Sequence, residues 1–129
     1  MKIKIEGRLW AVGELCGIYT VQTRGNELEP WIVREQYSSL DNAFLDLMNV
    51  FPKRSSPLVI PKNLDFTLAK VIVKTDRWRI VLINDTYYVQ TKPKKSTNWN
   101  SLAVEIKRAC STIEDAVMCV GGLLATKLL

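Results

Sequence analysis

YTVQT at residues 19–23 and YYVQT at residues 87–91 stand 68 positions apart and differ in one letter. The same offset reaches well beyond them. Lys2 meets Lys70, Ile3 meets Val71 and Ile5 meets Val73. Trp10 meets Trp78, and Val12 meets Ile80. Further on, the offset becomes 73, and Ser38-Ser39-Leu40-Asp41-Asn42-Ala43 meets Ser111-Thr112-Ile113-Glu114-Asp115-Ala116. Two tryptophans and their flanking Lys-apolar segments in one register point to an internal duplication.

Each copy has the same grammar. "KIKI" and "KVIV" are short alternating segments. "RLWAVGEL" and "RWRIVLI" follow as strands, with Trp10 and Val12, then Trp78, Ile80 and Leu82, on one face. Cys16-Gly17 and Asn84-Asp85 are the next turns, and Asn-Asp tolerates left-handed backbone well. "IYTVQT" and "YYVQT" return, and "WIVREQY" and "LAVEIKRAC" supply last strands in which Val33 matches Ile106. A helix closes each copy. Its apolar stripe is Leu40, Ala43, Phe44, Leu47 and Phe51 in the first, and Ile113, Ala116, Val117, Val120 and Leu124 in the second. Ser38 or Ser39 is the expected cap of the first helix, and Ser111-x-x-Glu114 fits a capping box for the second. Gly121-Gly122 is expected to bend or interrupt that second helix. The helix is apolar outside its stripe as well, which places it centrally between the copies; a homodimer contact at its C-terminal end, around Leu123, Leu124 and Leu128, is the alternative.

The predicted fold class is α+β: an internal duplication of an antiparallel strand-meander-plus-helix unit. The chain, 129 residues long, is expected to form a single domain of two repeats, 2–51 and 70–124, joined by a linker over 52–69. Pro52, Pro57 and Pro61 with Ser55-Ser56 mark the linker, and because "LVI" at 58–60 is apolar, part of it is expected to lie against the core.

Composition narrows the chemistry. Histidine is absent, which removes Ser-His-Asp and Cys-His catalysis and the commonest metal ligand. Cys16, Cys110 and Cys119 lack paired spacing and read as three reduced thiols serving as small core residues. The glycines are too scattered for a nucleotide loop. Asp41 and Asp46 fall off the apolar stripe and read as a solvated helix face. No cofactor and no metal are expected, and the protein is read as non-enzymatic. Lys-Ile-Lys-Ile-Glu near the N-terminus is no signal-peptide core, and the longest apolar run is too short to span a bilayer. The expectation is a cytoplasmic protein with no membrane partner.

Charge is divided. Residues 1–51 hold five Lys/Arg and seven Asp/Glu, a net −2, whereas residues 52–129 hold thirteen and six, a net +7. The second half therefore suits an acidic partner. The second copy is five residues longer, and the insertion is expected in or near "TKPKKSTNWNS", residues 91–101. Lys92, Lys94, Lys95 and Trp99 are the leading partner contacts, with Arg77, Arg79 and Lys107 extending the surface. Trp99 has two readings. At the first offset it matches Trp31 and belongs to the core; at the second it sits exposed in the insertion.

The helix starts Tyr37-Ser38-Ser39-Leu40 with Ala43, and Cys110-Ser111-Thr112-Ile113 with Ala116, resemble the Tyr-x-Ser-Leu-x-x-Ala helix start of small accessory proteins of bacteriophages and mobile elements. The second copy lacks the tyrosine. The resemblance brings no catalytic residue. It implies an interaction protein, of the kind that blocks a host defence complex such as a CRISPR effector by binding it. A partner would then be a host protein or ribonucleoprotein with an acidic surface. The alternative is a small nucleic-acid-binding module that uses the basic second repeat.

Overall fold

The computed structural model describes residues 1–51 and 56–129; Pro52 and Ser55 of the expected linker lie outside the described residues. Strands β1 (Lys2–Glu6), β2 (Trp10–Leu15), β3 (Ile18–Thr23) and β4 (Ile32–Tyr37) form one antiparallel sheet in chain order, closed by helix α1 (Leu40–Leu47). Strands β5 (Lys70–Lys74), β6 (Trp78–Ile83), β7 (Thr86–Thr91) and β8 (Glu105–Cys110) form the second, closed by α2 (Ile113–Ala125). The duplication is therefore structural as well as literal.

Registers repeat in detail. Trp10 pairs with Thr23 as Trp78 pairs with Thr91, and Tyr19 faces Tyr37 as Tyr87 faces Cys110. Both sheets carry a bulge on the first strand pair, between Ile3 and Ile5 and between Val71 and Val73. Both carry another on the last pair, opposite Val21/Gln22 and opposite Val89/Gln90. Bulges bend the strand and deepen its twist, which lets each sheet curve over its helix. The β2–β3 hairpin turns through Cys16 (φ 51°) and Gly17 (φ 80°), and the β6–β7 hairpin through Asn84 (φ 49°) and Asp85 (φ 64°). Two left-handed residues in succession make the type I′ turn that matches strand twist.

One core joins the repeats. Ile5, Trp10, Val12, Val21 and Phe44 from the first half are buried in the same cluster as Val73, Trp78, Ile80, Val89, Val117 and Val120 from the second. The helices pack on their own sheets and against each other, and β1 runs beside β5. Phe44 lies 4.9 Å from Trp78, and Phe51 packs edge-on at 5.3 Å from Trp10. Each indole then crosses to the other repeat's helix. The Trp10 Nε1–H donates to Glu114 at 2.7 Å, and the Trp78 Nε1–H donates to Asp41 at 2.8 Å. Asp41 and Glu114 occupy the same position in the two copies. Asp41 is thus a structural acceptor and not merely part of a solvated face. A buried indole N–H needs a partner, and here the partner ties the halves together.

Several expectations change. The second helix is capped by Thr112, whose hydroxyl accepts from the Asp115 N–H at 3.2 Å, and not by Ser111. Ser39 does the same for Asn42 at 3.1 Å in the first helix. With Thr112 as the cap, Glu114 falls at the second helical position rather than the third that a capping box needs, and its carboxylate accepts from the Trp10 indole instead. The Gly121-Gly122 pair does not interrupt α2. A Cβ at Gly121 would stand 2.5 Å from Met48 Cγ and 3.3 Å from the Phe44 carbonyl, so this glycine sets the approach of the two helices. The helix ends instead at Lys127 (φ 57°), where Leu128 N–H reaches Leu123 O and Lys127 N–H reaches Leu124 O, a Schellman arrangement. Cys110 and Cys119 are buried, but Cys16 is exposed at its turn and is no core residue.

The linker also departs from expectation. Val59 is 91% exposed, and Leu58, itself exposed, joins the second sheet through its N–H to Ala109 O, at 3.0 Å. Leu64, Phe66 and Ala69 make the apolar contact instead, against Val81, Ile83, Tyr88 and Ala109 on the outer face of the second sheet. Among the described residues this strap has no counterpart on the first sheet.

Candidate functional site

The strap is one wall of a groove. Its floor is a row across three strands: Arg79 on β6 faces Gln90 on β7, and Gln90 faces Ile106 on β8. Phe66 stands on one side, in a short 3-10 turn (Phe66–Leu68) started by Asp65, whose carboxylate accepts from the Thr67 N–H and hydroxyl. Those bonds hold the Asp65 carboxyl below the usual range. Trp99 and Leu102 stand on the other side. The open groove has a volume of about 440 Å³, within the size of pockets that hold a ligand or an anchoring side chain.

The Trp99 wall shows where the insertion falls. Glu29 N–H donates to Asn26 O in the first repeat, and Thr97 N–H donates to Lys94 O in the second, still at an offset of 68. Trp31 lies under Arg24, 4.1 Å from the ring centroid, and Trp99 lies under Lys92 at 4.9 Å. The turn and its tryptophan are therefore common to both repeats. The five extra residues are Asn100–Val104, after the lysines and not among them. They form two further turns, Ser101 N–H to Asn98 O and Val104 N–H to Ser101 O, and leave Leu102 fully exposed. Trp99 is half-buried; it is neither a core residue nor a free platform.

The seven predicted contacts separate into different roles. Lys92 is only 8% exposed, and its ammonium donates to Lys95 O at 3.0 Å and Thr97 O at 2.7 Å. It holds its own turn closed. Arg77 does similar work, donating from Nε to Lys92 O at 2.9 Å. Lys94 and Lys95 are exposed, and Lys95 pairs loosely with Asp76 at 3.3 Å. Lys107 pairs with Glu105 at 2.7 Å. It lines, with Arg77 and Leu128, a separate hollow of about 100 Å³ beside the chain's end. Arg79 and Trp99 do belong to the groove. The Arg79 Nε–H donates to Gln90 Oε1 at 2.7 Å, and its guanidinium lies 4.5 Å from the Trp99 ring centroid. Burial pushes Arg79 below the usual arginine range, though it stays cationic at neutral pH.

Phe66, Gln90, Leu102 and Ile106 were not singled out from the sequence. Leu102, an apolar residue inside a polar insertion, is the signal that could have found the wall. Among the described residues no group of His, Cys, Asp and Glu could hold a metal ion, and no helix is long and apolar enough to cross a membrane. Comparison with known proteins finds no matching family model, no matching curated protein and no matching solved structure.

Proposed function

We propose that the protein is a non-enzymatic binding protein that holds a protein partner in the groove of its second repeat. The observation that carries this reading is that both walls are made of segments the first repeat folds without: the strap ending at Ala69 and the insertion 100–104. Apolar walls around one oriented cation suit a protein hot spot, where an apolar anchor is buried and a polar group fixes its direction. The net +7 of the second half favours a partner with an acidic surface. Inhibition of a host defence complex such as a CRISPR effector is the specific form that the resemblance to phage accessory proteins suggests.

The nucleic-acid alternative has less support. A stacking platform needs an open ring face, and Trp99 has Arg79 and Lys92 against its ring. Phosphate contacts need free cations, and the ammonium of Lys92 is taken by two carbonyls. The test is capture from bacterial lysate by the immobilised chain, with and without nuclease, beside a Leu102→Asp chain. The expected result is a protein at one-to-one stoichiometry that survives nuclease and is lost with Leu102→Asp. Recovery of nucleic acid alone would overturn the reading in favour of the alternative.

A further inference from the structure

The turn shared by both repeats is chemically opposite in the two. In the second it carries Lys94 and Lys95. In the first, the equivalent positions begin Asn26-Glu27, and the turn continues Leu28-Glu29. Leu28 is 97% exposed between its two glutamates. The loop is built to present it. Leu28 N–H donates to Asn26 Oδ1 at 2.8 Å, Asn26 Nδ2 donates to Glu29 at 2.9 Å, and Gly25 N–H donates to the other Glu29 oxygen at 3.1 Å. An apolar side chain is thus held outward on a braced turn, where Glu27 pairs with Arg8 at 3.4 Å through two side chains that stay largely exposed and open to exchange.

The groove has the complementary chemistry. Phe66, Trp99, Leu102 and Ile106 offer apolar surface for one side chain of leucine size or larger. Arg79 stands half-buried at the floor, and among the described residues no carboxylate lies within ion-pairing distance of it. Lys94 is exposed on the adjoining turn. A half-buried cation beside apolar walls gains most from an apolar group that arrives with a carboxylate. At the level of whole repeats the same complementarity holds: residues 2–51 carry a net −2, and residues 70–124, with nine Lys/Arg and five Asp/Glu, a net +4.

We infer that the groove's occupant is a second copy of this chain, which inserts Leu28 between Phe66 and Leu102 and brings Glu27 and Glu29 to Arg79 and Lys94. The contact is head-to-tail: turn of the first repeat into groove of the second. Such a contact is heterologous, so each copy keeps one free turn and one free groove, and the assembly grows beyond a dimer unless its rotation closes a ring. Self-association then competes with the partner for one groove. The inference rests on reading the groove as a protein-binding site.

The test is sedimentation measurement of the mass of the full chain by analytical ultracentrifugation, using complementary variants. Leu28→Ser removes the inserted side chain and keeps the groove. Leu102→Asp places a carboxylate at the groove wall and keeps the turn. Both positions are fully solvated, and thermal melts verify that both variants fold. Wild type is expected to gain mass with concentration between about 10 µM and 1 mM, the range of a weak contact. Each variant alone should stay monomeric. Their equimolar mixture should form a one-to-one pair and stop there, and added salt should weaken it. A monomeric wild type throughout this range overturns the inference, as does association that survives Leu28→Ser, or a mixture that stays monomeric while wild type associates. A monomeric chain that still captures a lysate protein would sink only the self-association. A self-associating chain that captures none would sink only the reading of a partner-binding function.

Discussion

Ala11, Gln22 and Val33 cross the outer face of the first sheet where Arg79, Gln90 and Ile106 cross the second. The glutamine is kept and its neighbours are not. Met1 lies over the first row, close enough that its sulfur accepts from Gln22 Nε2 at 3.1 Å, and nothing there corresponds to the strap or the insertion. On the inner faces the situation reverses. Trp10 and Trp78, Val12 and Ile80, Val21 and Val89 are all buried in one cluster. The inner face is shared and cannot drift without loss of the core; the outer face of one repeat was free to acquire two walls. That division is why the groove, rather than the repeated motif, is the place to look for function.

The largest effect is expected from the shared face. Phe44 is fully buried against Trp78, so Phe44→Ala should destabilise by about 3–5 kcal/mol. Denaturant unfolding should remain a single transition, because the lost ring belongs to both repeats. Two resolved transitions would break the picture of one core.

Gly121 and Gly122 sharpen the same comparison at the helix contact. Gly121→Ala must displace Met48 and press on the Phe44 carbonyl, at a cost of about 1–3 kcal/mol. Gly122 faces open space, and Gly122→Ala should stabilise by up to about 1 kcal/mol through helix propensity. Equal effects in thermal melts would mean that the helices do not meet at Gly121.

The turn of the second repeat separates structural from available lysines. Lys92→Ser removes an ammonium bonded to two carbonyls and should cost about 1–3 kcal/mol. Lys94→Ser and Lys95→Ser should each stay within about 0.5 kcal/mol.

The smallest effect is expected in alkali. Tyr19 and Tyr37 face each other on β3 and β4. A hydrogen bond to Glu14, with burial, raises the Tyr19 phenol above its ordinary value, and burial beside Asp46 raises Tyr37. A raised folded value means that the stabilisation is complete below the unfolded value near 10 and is lost as pH climbs through the folded one. Stability should fall above about pH 10, the ordinary phenol value, and a Tyr19→Phe, Tyr37→Phe chain should lose less there.

Much of the fold was legible because it was written twice. Offsets of 68 and 73 carried the strand order, both I′ turns and both helix stripes. What could not be read was contact between distant segments. The indole bonds to Asp41 and Glu114 join positions related by different offsets, and an acid off the apolar stripe looks solvated unless the other repeat's tryptophan is known to be there. The insertion was misplaced because lysines are conspicuous, whereas a conserved backbone turn leaves no trace in side-chain letters: Asn26 and Lys94 play one role. The groove was half visible. Trp99 stood out beside the three lysines, with Arg79 as an extension of that surface, but Phe66 sits 33 residues before Trp99 in a segment that looked like linker.

Deletion of residues 100–104 tests the central claim most directly. The first repeat passes from Trp31 straight into β4 without such a loop, and loop shortening of this kind changes closure entropy little. The shortened chain should therefore melt within a few degrees of wild type, on the scale of about 1 kcal/mol or less. Its capture of the nuclease-resistant lysate partner, measured in parallel, should disappear. A folded deletion chain that still holds that partner as well as wild type would contradict the account, and would move the binding site off the second repeat's groove.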